Sequence, residues 1–252
     1  MNVLSRVACF AAMLLAIGAA RAQTNTLTGY QALNSIGSGT NNTADGYQAL
    51  FSNGAGNNNV AVGSQALYSN TTGNQNTALG YLALFANTTG IDNTAVGYHA
   101  APANTTGSGI TAIGYNSLAS NTTGTQDTAT GTGALAQNTI GNYNSAFGYK
   151  ALNQDQGGSQ NTGEGYSALY KNVAGTDNTA EGFEALYFNT ANRNTAVGSQ
   201  ALYSATTGID NTVSGCTAAF SQTTGNYNAV FGYQAFYFDT LGSNNTVLGS
   251  YA

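Results

Sequence analysis

Asn76-Thr77-Ala78-Leu79-Gly80-Tyr81-Leu82-Ala83-Leu84-Phe85-Ala86-Asn87-Thr88-Thr89-Gly90-Ile91-Asp92 is followed at once by Asn93-Thr94-Ala95-Val96-Gly97-Tyr98, the same phrase begun again. The glycine of this unit recurs at Gly29, Gly46, Gly63, Gly80, Gly97, Gly114, Gly131, Gly148, Gly165 and Gly182, always 17 residues apart. One step of 16 leads to Gly198, and the step of 17 resumes through Gly215, Gly232 and Gly249. A fixed period of this size is the signature of a solenoid or an array. Residues 23–252 are one repeat domain, a unit written fourteen times with the last copy incomplete.

With the marker glycine as position 0, each column has its own chemistry. Position −2 is small or apolar in every copy (Ala44, Ala61, Ala78, Val213, Val230), position +3 is alanine except at Ser117, and position +4 is leucine, alanine or phenylalanine. These columns are the expected core. Position −4 is mostly asparagine, with Ile110 and Asp127 as exceptions. Strand side chains alternate, so −4 points the same way as −2, and stacked copies place these amides about 4.8 Å apart in a ladder. Positions −3, −1 and +1 then face outward. Position −3 is mostly threonine, as in Thr77, Thr94, Thr111 and Thr128; position −1 mixes Leu79, Val96 and Phe147 with Asp45, Glu164 and Glu181.

Aromatic residues fill two columns. Position +1 holds Tyr30, Tyr47, Tyr81, Tyr98, Tyr115, Tyr149, Tyr166, Phe183 and Tyr233; position +5 holds Phe51, Tyr68, Phe85, Tyr170, Tyr187, Tyr203, Phe220 and Tyr237. Both are read as outward stripes beside the threonine stripe, and together they form the candidate binding or assembly surface. The remainder, Asn70-Thr71-Thr72-Gly73 and its copies, is turn chemistry. The coil is therefore expected to be a strand from −4 to +1, a tight turn, a second short strand near +3 to +6, and a polar turn. Helix is excluded by the absence of a 3.6-residue period. The fold class is all-β, a β-solenoid of about fourteen 17-residue coils, on the order of 60 Å long. Its thin core must draw stability from many stacked coils. The 16-residue step falls in the polar turn at Asn189-Thr190-Ala191-Asn192-Arg193, where a deletion disturbs the core least.

The first 22 residues read differently. Met1 to Arg6 is a short basic start, Val7 to Ala20 is apolar, and Ala20-Arg21-Ala22 is a small-x-small cleavage pattern. That is a secretory signal peptide cleaved after Ala22, too short and wrongly flanked for a membrane span. The expected location is secreted, extracellular or cell-surface, in a bacterium, with no transmembrane segment in the mature chain. Without Arg6 and Arg21, the chain carries Lys150, Lys171 and Arg193 against ten acids, 3 − 10 = −7. Three scattered cations give no footprint for nucleic acid. Cys9 leaves with the leader, so Cys216 has no intrachain partner.

The unit Asn-Thr-Ala-Val-Gly-Tyr-x-Ala-Leu resembles the head repeats of trimeric autotransporter adhesins, the YadA-like β-rolls, and the repeats of bacterial surface and phage tail-fibre proteins. The likeness runs from about Asn25 to Ala252 and is clearest in Asn194-Thr195-Ala196-Val197-Gly198 and Gly63-Ser64-Gln65-Ala66-Leu67. It implies a left-handed coil, a homotrimer of rolls packed side by side, and adhesion to host or matrix ligands. This repeat departs from the adhesin head repeat in its longer Asn-Thr-Thr-Gly turn, and nothing after Gly249 reads as a stalk, anchor or chaperone segment.

Little points to catalysis. His99 is the only histidine, so it forms no histidine cluster and reads as a surface residue. Glu164, Glu181 and Glu184 read as a local acidic patch, and Asp92, Asp177 and Asp210 as polar turn residues outside any Gly-Gly-x-Gly-x-Asp calcium repeat. Sequons at Asn70, Asn87, Asn104 and Asn121 are a by-product of the repeated Asn-Thr-Thr turn. No enzyme activity, cofactor or metal is expected. The expected function is a secreted structural or adhesive solenoid that binds a polysaccharide or surface protein, or associates with itself. The last residues, Ser250-Tyr251-Ala252, read as an uncapped coil, which predicts head-to-tail filaments or a further domain. An antifreeze-like ice-binding face built on Thr-x-Val, as in Thr94-Ala95-Val96, is the alternative, and a phage tail-fibre segment is a further one.

Overall fold

The computed structural model describes residues 25–35 and 37–252; the signal peptide expected over residues 1–22 lies outside the described residues. Fourteen three-residue strands, β1 (Thr26–Thr28) to β14 (Thr246–Leu248), form one parallel sheet whose order is the order of the chain. Each strand pairs with the same strand one coil on. In β4 (Thr77–Leu79) and β5 (Thr94–Val96), Thr77 lies opposite Thr94, Ala78 opposite Ala95 and Leu79 opposite Val96. The shorter step joins β10 (Thr179–Glu181) to β11 (Thr195–Val197) with Thr179 opposite Thr195, so register survives the missing residue. The chain is an all-β solenoid, as its period predicts.

Alternation places the columns as expected. Ala78 is fully buried between a half-buried Thr77 and an exposed Leu79. The core is a line of Ala–Ala–Leu triplets such as Ala78, Ala83 and Leu84, all fully buried. Burying one leucine is worth about 1.5–3 kcal/mol and an alanine much less, so no coil is stable by itself.

The coil contains one strand where two were expected. The +3 to +6 segment is hydrogen-bonded from coil to coil, yet its backbone is not extended. Leu82 N–H donates back to Ser64 O at 3.1 Å, while Leu84 N–H and Ala86 N–H donate forward to Ala100 O and Pro102 O, each at 3.0 Å. The bond direction reverses between +2 and +4, where both residues are left-handed: Leu82 has φ 56° and Leu84 φ 50°. The same holds down the column, from Leu33 and Leu50 to Leu202 and Ala219. A non-glycine residue in this region costs of order 1–2 kcal/mol, which the buried leucine and two inter-coil hydrogen bonds offset. A third left-handed site occupies −5, where Asn58, Gln75 and Asp92 have φ 57–59°.

The marker glycine has φ near 130°, a conformation strained for any side chain, and a Cβ on Gly80 would fall 2.3 Å from Gly97 O. Glycine is required there on both counts.

Asparagine runs along the interior in two ladders. At −4, Asn76 N–H donates to Asn59 Oδ1 at 2.9 Å, and Asn76 Nδ2 reaches Gly90 O at 2.9 Å. The second ladder, at +7, was assigned to surface turn chemistry from sequence and is buried. Asn87 Nδ2 donates to Asn70 Oδ1 at 3.0 Å and Gly90 O at 3.1 Å, and Asn104 Nδ2 returns to Asn87 Oδ1 at 2.9 Å. The four sequon asparagines, Asn70, Asn87, Asn104 and Asn121, are all fully buried in this column. Where the turn loses a residue, Ala191 O replaces the glycine carbonyl and accepts from both Asn178 Nδ2 (2.7 Å) and Asn189 Nδ2 (3.0 Å).

Candidate interaction surface

The outer face of the sheet presents −3, −1 and +1. The threonines Thr77, Thr94, Thr111 and Thr128 stand in direct register, each half-buried. Beside them, −1 mixes apolar, polar and charged side chains. Leu79, Ile113, Phe147 and Phe231 are exposed, and so are Asp45, Glu164 and Glu181. Glu164 in β9 (Thr162–Glu164) sits directly opposite Glu181 in β10. Like charges in register are tolerated only where water reaches them, so this column is wet.

The +1 rings stack along the axis. Tyr81–Tyr98 and Tyr98–Tyr115 have centroids 5.2 and 5.5 Å apart, Tyr149–Tyr166 5.0 Å, and Tyr166–Phe183 5.3 Å, with planes within 22° of parallel. Coil spacing sets this geometry, because one ring per coil can only stack on the next. Tyr47 stacks on Tyr30 at 6.0 Å, and Tyr233 meets Tyr251 edge-on. The column is broken at Ser64, Thr132, Ser199 and the exposed Cys216. These rings are exposed to between 41 and 53 per cent from Tyr47 to Tyr233.

The +5 column is a second, separate stack. Phe51–Tyr68–Phe85 forms one run at 5.0 and 5.2 Å; Tyr170–Tyr187–Tyr203–Phe220–Tyr237 forms another at 5.1–5.3 Å. All eight rings are half-buried. Bends at the left-handed +2 and +4 residues lay these rings partly onto the body of the coil, with the rest of each ring open to solvent. Burial raises the Tyr187 and Tyr203 phenols above their usual 10. Between the two runs the column holds only Pro102, Ala119, Ala136 and Asn153.

In both stacks the ring faces are occupied by neighbours and the edges meet solvent. A sugar ring recognised by an aromatic platform needs a free face; here complete faces are free only at the ends of the runs.

Other side chains fall into place around the stripes. His99, expected on the surface, is half-buried and stacks on Tyr98 at 4.3 Å and Tyr81 at 5.7 Å. Lys171 lies over Phe188 at 4.5 Å, and Lys150 over Tyr149 at 5.2 Å. Arg193 grips Asp210 with two hydrogen bonds, at 2.7 and 2.9 Å, across one coil step. Among the described residues, no three His, Cys, Asp or Glu side chains gather closely enough to share a metal ion, and no helix is long and apolar enough to cross a membrane.

Two acids are buried in the ladders: Asp127, named from sequence as an exception at −4, and Asp155, which the sequence reading missed. Asp127 takes a −4 ladder position and Asp155 a +7 position, both with no exposed surface. Asp127 accepts from Asn144 N–H at 2.8 Å and Asn138 Nδ2 at 3.0 Å. Asp155 accepts from Gly158 N–H at 2.7 Å and Asn172 Nδ2 at 3.1 Å. Burial dominates these bonds and pushes each carboxyl from its ordinary 3.8 up to about 7. The available signal was an Asp standing in a column mostly of Asn.

Set beside known proteins, the chain matches no family model, no curated protein and no solved structure.

Proposed function

We propose that this chain is a secreted, non-enzymatic structural or adhesive rod that assembles or adheres through the outer face of its sheet. The supporting observation is a pair of exposed apolar clusters at −1 and +1, one of Leu79, Tyr81, Tyr98, Ile113 and Tyr115 and one of Phe147, Tyr149, Tyr166 and Phe183. Large exposed apolar patches of this kind mark interaction surfaces more often than ordinary exteriors. The edge-on presentation of its rings favours a protein surface, including a second copy of the chain, over a polysaccharide. Export rests on the reading of residues 1–22.

The test is native mass measurement over a wide concentration range, with retention on immobilised matrix proteins and on insoluble polysaccharides in parallel. Association or protein retention that disappears when Leu79, Tyr81 and Tyr98 are changed to serine supports the proposal. A monomer at every concentration that is retained on none of these supports sinks it.

One observation favours the ice-binding alternative: Thr77, Thr94, Thr111 and Thr128 stand in register on a sheet face. The exposed rings and Glu164 and Glu181 interrupt that face. Thermal hysteresis of the purified protein separates the two readings.

A further inference from the structure

We infer that the stacked tyrosines are sites of covalent coil-to-coil cross-linking, in which neighbouring phenols on successive coils are joined as dityrosine by a one-electron oxidant such as a haem peroxidase acting with hydrogen peroxide. Tyr81, Tyr98 and Tyr115 stand in one column at 5.2 and 5.5 Å, and Tyr149 and Tyr166 at 5.0 Å, with planes 11–22° apart. All five are exposed, so an oxidant reaches their hydroxyl edges. The reacting carbons are the ring Cε atoms, ortho to the hydroxyl, and parallel rings in register place them beside one another.

The chemistry balances. Each of two phenols gives up one electron and its hydroxyl proton. The two phenoxyl radicals couple to form one Cε–Cε bond, and the ring hydrogens at the joined carbons move to the oxygens, restoring two phenols. The two electrons and two protons reduce one hydrogen peroxide to two waters. The difficult requirement is a second radical close by before the first is quenched. A solenoid meets it by fixing the partners one coil apart, where proximity gives effective concentrations far above those between molecules in solution.

The sequence contains its own controls. Tyr68 has the same coil spacing but lies between Phe51 and Phe85, which cannot couple through oxygen-centred radicals. Tyr143 and Tyr227 are more exposed than the stacked rings, at 59 and 57 per cent. Their column neighbours are Gln126 and Gln160, and Asp210 and Asn244, so each lacks a phenol one coil away. Tyr170, Tyr187 and Tyr203 stack at 5.1 and 5.3 Å but are half-buried. Burial raises the Tyr187 and Tyr203 phenols, so the phenolate, the form most easily oxidised, is scarcer there. This run links after the exposed one. The inference does not depend on adhesion: a rod with no ligand at all would link the same pairs.

The experiment treats the Cys216→Ser protein, which lacks a competing thiol, with peroxidase and hydrogen peroxide at low protein concentration. Linked peptides are mapped by mass spectrometry, each pair lighter by two hydrogens. An equal mixture of light- and heavy-isotope protein distinguishes links within a chain from links between chains. The expected result is intrachain Tyr81–Tyr98, Tyr98–Tyr115 and Tyr149–Tyr166 links, at least ~10-fold more abundant than any link at Tyr68, Tyr143 or Tyr227. Tyr98→Phe should abolish the first two and leave the third, and Phe85→Tyr should create a new Tyr68 link. Linking led by Tyr143 or Tyr227, or links chiefly between light and heavy chains, overturns the inference. So does Phe85→Tyr failing to bring Tyr68 into a link.

Discussion

Asn144 donates its backbone N–H to Asp127 Oδ1 at 2.8 Å, as Asn76 at the same −4 position does to Asn59 Oδ1 one coil before it. The substitution matters at the other oxygen. An asparagine at −4 uses its Nδ2 to reach the glycine carbonyl of the turn, as Asn144 reaches Gly158 O at 2.9 Å. An ionised Asp127 has no donor to offer Gly141 O; a protonated one does. Asp127 and Asp155 are therefore most stable in the fold when neutral.

The sign of the pH dependence follows. Both folded values are near 7 against 3.8, so between about pH 4 and 7 the folded chain holds more protons than the unfolded one. These two groups make the fold most stable below pH 4 and take stability away as pH rises to about 7. At about 1.36 kcal/mol per pKa unit, each carboxyl accounts for at most ~4 kcal/mol. Asp127→Asn should raise the denaturation midpoint at pH 8 and flatten its fall between pH 4 and 8. An unchanged profile would contradict the assignment.

Asn87 belongs to the buried +7 ladder, and Asn87→Ala removes two donated bonds and the acceptor for Asn104 Nδ2. An unsatisfied buried group costs about 1–3 kcal/mol. The variant should lose roughly 2–3 kcal/mol without unfolding, since Ala205 already occupies this column in one coil. Denaturant titration reads the loss. The same burial predicts that the folded chain, offered to an oligosaccharyltransferase, stays unglycosylated at Asn70, Asn87, Asn104 and Asn121; intact mass measures it.

Glycines divide by conformation. Gly80→Ala would place a Cβ 2.3 Å from Gly97 O at φ +139° and should break the stack locally, with a loss above about 3 kcal/mol. Gly157→Ala meets only Ile140 side-chain carbons, at 3.5 and 3.8 Å, and should fall within about 1 kcal/mol of the parent. Gly109 has φ +68° in the column that holds Asn58 and Asp92, so Gly109→Asn should be near neutral. Thermal melts of the three variants test the order.

The Arg193–Asp210 pair is bidentate but lies at the surface, with side chains 51 and 25 per cent exposed. Asp210→Asn should leave the denaturation midpoint nearly unchanged, because exposed ion pairs contribute little, and what change there is should vanish in high salt. A larger, salt-insensitive loss would mean that this pair positions the shortened turn.

Much of the molecule was legible in the repeat. Thr77-Ala78-Leu79 aligned with Thr94-Ala95-Val96 fixes the pairing register, because stacked copies put equal positions side by side. Alternation then assigns Ala78 inward and Leu79 outward, and the asparagine at −4 to an internal ladder. Tyr81, Tyr98 and Tyr115 were legible as a stripe for the same reason.

Other features depend on how one coil closes. Leu84 is a strand residue by composition and a left-handed one in the fold, because the coil must turn sharply while its leucine stays in the core. Once Leu82 and Leu84 bend the chain, Phe85 becomes half-buried, and Asn87 swings from an expected surface turn into the interior. Asp127 and Asp155 acquire their raised pKa chiefly from enclosure, which disfavours the charged carboxylate, with the Asp155 charge adding to the rise at Asp127. The period and the inward and outward columns are properties of the sequence, since they require only that equal residues stack. The sign of φ at +2 and +4, the second ladder and the face-to-face rings belong to the tertiary structure, where closing each coil around a thin core decides which side chains water can reach.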